Sequence, residues 1–185
     1  MRALLVTGGA ILGMALLSGL LEGCASPATP AGIAPTTFDV TARHAASVSV
    51  AVTGGRSTGD LDAPQISNEA FAEALTGAIE RSGVFSSVAD GSRADYRLAV
   101  QIFRVQPPLM GFAMRANMEA GWTLLKTATN KALWQQSIAS DFTATTSDAF
   151  VGATRSRMAV EGAARENIKQ GIAALSRLPL EQDAK

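Results

Sequence analysis

One cysteine and one histidine are all that this chain has of the two residue types, and their scarcity removes whole classes of chemistry. A single cysteine cannot close an internal disulfide, so the fold has to hold without oxidative cross-links. One histidine and one cysteine cannot fill the three or four positions of a zinc site without unusual help from carboxylates. A Ser-His-Asp or Cys-His arrangement would have to use His44, at the start of the first strand pattern, where an edge or surface histidine is the plainer reading. A surplus of charge is missing too. Sixteen basic residues balance sixteen acidic ones, which leaves no global basic field for nucleic acid or an anionic membrane surface. Asp60 and Asp62 in "TGDLDAP" read as a solvated loop more plainly than as an acid and base pair. "TGGRSTGD" follows a strand and is rich in glycine, but it lacks the Gly-Lys-Ser/Thr ending of a phosphate loop. The expectation is a protein that is not an enzyme and has no catalytic residues, no cofactor, no metal and no nucleic-acid partner.

What the chain does have in quantity is apolar material, 47% of its 185 residues, enough for the core of one domain. The first of it is a leader. Ala3 to Leu21 is apolar or small throughout after the lone early charge Arg2, and Gly8, Gly9, Gly13 and Gly19 interrupt it. It reads as a secretory signal, with a transmembrane helix as the alternative. "LEGC", Leu21 to Cys24, resembles the bacterial lipobox, in which an aliphatic and a small residue precede the cysteine that is acylated and becomes the mature N-terminus. Leu21 and Gly23 match that pattern and Glu22 departs from it. The alternative is ordinary cleavage at the small-x-small site "GCA" before Ser26. The expected organisation is a signal over 1–23, acylation of Cys24 as palmitate-type lipidation, a Pro/Ala/Thr-rich extended tether over 24–37, one domain over 38–180 and a polar tail over 181–185. Each buried methylene of an acyl chain adds about 0.8 kcal/mol of membrane affinity, so a multiply acylated Cys24 would tether the protein stably. By resemblance to bacterial lipoproteins, Ala25 lacks the aspartate of inner-membrane retention. That implies the outer membrane, facing the periplasm, with inner-membrane anchoring or a soluble periplasmic protein as alternatives.

The body changes period as it goes. "ASVSVAVTGG" alternates Val48, Val50 and Val52 with small polar residues, as a strand with one buried face does. "ISNEAFAEALTGAIERSG" predicts a helix with Ser67 as N-cap, Ile66 and Phe71 as a hydrophobic staple, an apolar stripe of Phe71, Leu75 and Ile79, and Gly83 as its stop. "VFSSV" and "DYRLAVQIFRV" follow as strands. "MRANMEAGWTLL" and "ALWQQSIASDFTA" are two long alternating segments around the polar turn "KTATNK", an antiparallel hairpin. From Ala149 to Leu178 the period is helical, with Val160, Ala164, Ile168, Ile172 and Leu175 in one stripe, and Gly152, Gly162 and Gly171 suggest close approach to a sheet. The order β-α-β-β-β-β-α implies a two-layer α+β sandwich: an antiparallel or mixed sheet of four to five strands with both helices on one face.

"AFAEALTGAIERSGVFSSVADGSRADYRLAVQIFRV", with the hairpin and final helix, resembles the small periplasmic domains of bacterial envelope lipoproteins. These include the penicillin-binding-protein activator lipoproteins, the curli-secretion lipoprotein and the N-terminal domain of TolB. The resemblance implies a lipid-anchored accessory or regulator of envelope assembly or transport that works through an envelope protein partner. Two alternatives stay open: a secretion-channel subunit of the curli-export type, and a periplasmic carrier of a lipid or other apolar ligand lined by Met114 and Met118. Two stretches are candidate contact surfaces. In "QPPLMGF", Pro107 and Pro108 end strand pairing, and Leu109, Met110 and Phe112 either fold back over the core or dock a partner or the membrane. In "TATTSDAFVGATRSRMA", Arg155 and Arg157 either face an acidic partner or sit at a solvated helix start.

Overall fold

The structure, a computed structural model, describes residues 26–180. The leader with Cys24 and the tail 181–185 therefore lie outside the described residues. The elements run α1 (Pro30–Ile33), β1 (His44–Thr53), α2 (Asn68–Ser82), β2 (Phe85–Val88), a 3-10 turn (Gly91–Arg93), β3 (Tyr96–Gln106), β4 (Met114–Lys126), β5 (Lys131–Ala144) and α3 (Gly152–Leu175). The five strands form one mixed sheet in the order β2-β1-β3-β4-β5. β1 pairs parallel with both β2 and β3, and β3, β4 and β5 pair antiparallel.

Local chemistry sets the boundaries of α2. The Ser67 hydroxyl accepts from the amide of Ala70 at 3.1 Å, satisfying a donor that the first turn would leave orphaned. Ile66 and Phe71 are both fully buried, as a staple requires. Gly83 ends the helix at φ 63°, in the left-handed region, and its amide returns to the Ile79 carbonyl. The Glu69 carboxyl is held below its ordinary range by backbone and Ser67 hydrogen bonds at the helix start. The β4–β5 hairpin turns through Thr127–Asn130, where Asn130 takes φ 54°, a conformation asparagine tolerates better than most residues.

Both long helices lie on one face of the sheet, over one core. Trp122 of β4 meets Phe71 of α2 edge-on, with ring centroids 6.5 Å apart, and its indole N–H donates at 3.0 Å to the Oδ1 of Asn167 on α3. The Asn167 amide nitrogen donates to the Ile138 carbonyl and to Ser140, and the Ser140 hydroxyl donates to the Ala163 carbonyl. These buried groups are paired with one another, so the core carries polar atoms without the cost of leaving them unsatisfied. His44 is buried at the core edge, where its Nε2 donates to the Leu175 carbonyl at 3.0 Å and its ring lies 5.2 Å from Phe85. Met114 and Met118 pack in this same core, so their place between sheet and helix is that of filling side chains.

The tether differs from expectation. Ala28 and Ile33 are buried, and α1 is a single turn started by Thr29 as N-cap and Pro30 at its first position. The Glu161 carboxylate of α3 accepts from both the amide and the hydroxyl of Thr29 at 3.0 Å, and Arg165 donates to the Gly32 carbonyl. The small-residue composition that reads as a free linker is what allows this close docking: a Cβ on Gly32 would lie 2.2 Å from Glu161. The folded body thus begins at Ala28, ten residues before Phe38.

Close approach also explains the glycines of α3. A Cβ on Gly162 would fall 2.2 Å from the Phe142 ring, and one on Gly171 would fall 2.4 Å from the Trp122 ring. Helix propensity alone predicts that Gly171→Ala stabilises the protein by about 1 kcal/mol. Packing predicts the opposite sign, a loss of about 1–3 kcal/mol from forcing the helix off the ring. Urea denaturation of Gly171→Ala should show the lower midpoint at an unchanged slope.

Candidate functional site

The sheet topology gathers three loops at one end of the domain. β1, β3 and β5 all finish there and β4 starts there, since Met114 pairs with Ala144 and Thr53 with Gln101. The loops are 54–67 between β1 and α2, 107–113 between β3 and β4, and 145–151 between β5 and α3. Leu109, Met110 and Phe112 are 97%, 89% and 85% exposed, so the loop does not fold back over the core. Phe150 stands beside them in the chain topology at 92% exposed, with Val151 next to it, and Leu61 in the first loop is equally open. The last three were not singled out from the sequence. The available signal was a large apolar residue in each loop flanked by polar or small neighbours, Asp60-Leu61-Asp62 and Asp148-Ala149-Phe150.

Arg155 explains how two of these loops are held, and it corrects the expectation for that residue. Its guanidinium is buried, and it donates to the carbonyls of Ala149 and Phe150 at 2.8 Å and of Gly111 at 3.1 Å. The planar fork spans carbonyls from loops 44 and 5 to 6 residues away, a reach that suits arginine better than lysine. Arg155 is therefore a clasp within the domain and offers no charge to an acidic partner. Arg157 is two-thirds covered, and its Nε lies 3.8 Å from Glu161, the carboxylate that also holds Thr29. Arg157 keeps about a third of its side chain exposed beside that pair, whereas Arg155 reads as solvated only until the loop carbonyls close over it.

The second support is Asp148. Its Oδ2 accepts from the Thr145 amide at 2.7 Å and from the Thr145 hydroxyl at 2.9 Å, closing the turn that leads to Phe150. These two bonds hold the Asp148 carboxyl below its ordinary value of 3.8. Among the described residues, the sheet face not covered by helices carries Phe103 packed over Gly121, Arg104 beside Glu119 and Arg115 bonded to Asp141. Among the described residues no group of three His, Cys, Asp or Glu side chains is placed to hold a metal, and no helix is long and apolar enough to cross a membrane.

Neither a protein-family model nor a curated protein matches this chain. Solved structures do. A Xanthomonas campestris protein of the DUF330 family is similar over 77% of this chain and 93% of its own, at 17% identity and a TM-score of 0.58. PelC of Paraburkholderia phytofirmans, described as a dodecamer, is similar over 77% of this chain and 95% of its own, at 15% identity and a TM-score of 0.50. A lipoprotein of Neisseria meningitidis aligns over 53% of this chain and 83% of its own, at 11% identity and a TM-score of 0.39. At these identities the likeness to the Xanthomonas protein and to PelC is one of fold, and the α+β architecture read from the sequence is the one this chain shares with those two.

Two outcomes follow from the supports of the loop end. Arg155→Met should lower stability by about 2 kcal/mol and raise amide hydrogen exchange in 107–113 and 145–151 together, because one guanidinium serves both loops. For Asp148 the folded pKa lies below the unfolded one, so its contribution is complete above pH 3.8 and disappears as pH falls through the lowered value. An NMR titration should therefore show the Thr145 amide shift changing with a midpoint below that of an unstructured aspartate, and Asp148→Asn should remove that acid-limb change.

Proposed function

We propose that this chain is a lipid-anchored protein of the bacterial envelope, without catalytic activity, that assists envelope assembly or transport through contacts with another envelope protein. Cys24 is the anchor in this reading, exposed as the mature N-terminus when the signal over 1–23 is removed, and the body faces the periplasm from the outer membrane. The observation that carries the proposal is the lipobox-like "LEGC" together with the docked arm that follows it. From Cys24 to buried Ala28 is four residues, which at full extension span at most about 14 Å. An acylated Cys24 therefore keeps the folded body at the membrane surface and not a few tens of ångströms away. Protein contact is supported by the sheet, which among the described residues has helices on one side only. Its other side leaves Phe103 half-exposed, and β5 runs for fourteen residues as an edge strand with one side of its backbone unpaired by the sheet.

The finer kinships of the domain, to penicillin-binding-protein activators, curli-secretion lipoprotein or TolB, belong to this proposal as well. A channel subunit of the curli-export type is the second reading, and what favours it is the dodecameric state given for the similar PelC. All five strands are already used in the small sheet, so spanning strands would need another source. The carrier reading loses the observation that favoured it, because Met114 and Met118 fill the core.

Cys24→Ser is expected to abolish metabolic labelling with palmitate and move the protein from the membrane pellet to the soluble fraction. A variant that is still labelled and still pellets would sink the anchor.

A further inference from the structure

We propose that the loop end of the domain is a bilayer-docking surface, whose apolar side chains seat in the interfacial layer of the membrane that holds the anchor. The inference rests on the lipidation of Cys24 proposed above. Among the described residues, eight large hydrophobic side chains are exposed, and six of them, Leu61, Leu109, Met110, Phe112, Phe150 and Val151, are on the three loops of this one end. Scattered exposed hydrophobics are ordinary, but their concentration at one end of the domain marks a contact surface.

What points to lipid as the occupant is where the chain enters the body. The amide of Ala28 donates to the carbonyl of Gln65 in the first of the three loops. From there the arm runs along the helices away from the loop end: Thr29 meets Glu161, Gly32 meets Arg165, Pro35 meets Arg81 near the end of α2, and Thr41 meets Ser176 just past α3. Followed back toward Cys24, the chain thus leaves at the loop end. The thirteen residues of β4 span about 40 Å. A reach of at most about 14 Å from Cys24 to Ala28 cannot bring the membrane to the far end, where the β4–β5 turn lies. The exposed apolar loops are the part of the body that this reach holds next to the bilayer.

The charge of the loops agrees with an uncharged occupant. Loop 107–113 has no charged residue, 145–151 has only Asp148, and 54–67 has Arg56 against Asp60 and Asp62. The loops themselves thus carry no net positive charge for anionic headgroups, and seating depends on their apolar side chains, as for monotopic surfaces. The Arg155 clasp holds two of the loops as one unit, which lets their side chains enter together.

The test uses the full chain purified from its membranes and reconstituted in zwitterionic phosphatidylcholine vesicles, with or without brominated phospholipid. Leu109→Cys, Phe150→Cys and, as a far-end control, Thr129→Cys each carry a polarity-sensitive fluorophore. Blue-shifted emission that brominated lipid quenches at 109 and 150 but not at 129, with no change in high salt, is the expected result. Equal, unquenched emission at all three positions overturns the proposal. Protection of 109 and 150 from aqueous iodide without quenching by brominated lipid assigns the surface to a protein and overturns it too. Mass spectrometry of the Cys24 peptide reads the anchor separately. An acylated peptide with unquenched 109 and 150 defeats the docking surface alone, whereas a bare peptide defeats the anchored reading and the docking surface with it.

Discussion

The close seating of α3 on the sheet is the constraint on which the rest of this domain depends. Two positions without a side chain, Gly162 and Gly171, let the helix rest against Phe142 and Trp122, and at that distance Asn167 reaches the indole of Trp122 and the Ile138 carbonyl. Hydrophobic burial would hold the helix anywhere along an apolar stripe; the Asn167 bonds hold it at one register. The register decides what happens at each end of α3. Arg155 is brought to the carbonyls of two loops at the start, and Leu175 to His44 at the finish. Between them Glu161 meets Thr29. A small buried network thus places the arm and the loop end relative to one another.

The helices do unequal work. α2 has a full set of local signals and would be recognisable in isolation, with its hydroxyl cap, its staple and its left-handed glycine stop. α3 has no side-chain cap at its start, where Val151 stands, and carries three glycines that lower its propensity. Its stability comes from tertiary contact: Val160, Ala164, Ile168, Ile172 and Leu175 are all fully buried.

What could be read from the sequence follows from this difference. Alternation of period two in β4 and the even spacing of Ile138 and Phe142 in β5 located the hairpin, and the exposure of Leu109, Met110 and Phe112 agrees with prolines that end strand pairing. The arm was hidden because its partners are distant in sequence, Gln65 for Ala28, Glu161 for Thr29 and Arg165 for Gly32, and composition alone makes such a stretch look like linker. Thr29-Pro30 was the local clue, a capping residue followed by a first-turn proline. Arg155 escapes sequence reading for the same reason. Its carbonyl partners in Gly111 and Ala149 come together only when two loops share one end of a sheet.

The route of the arm has a mechanical side. A pull on the chain at Ser26 directed along the helices loads the Ala28–Gln65 bond, the two bonds from Thr29 to Glu161 and the packing of Ile33 in shear, so they must give way together. Force across the helices would instead peel those contacts singly. The arm is thus strongest against tension directed along the helices, which falls first on the Ala28–Gln65 bond and then on the two bonds to Glu161 of α3.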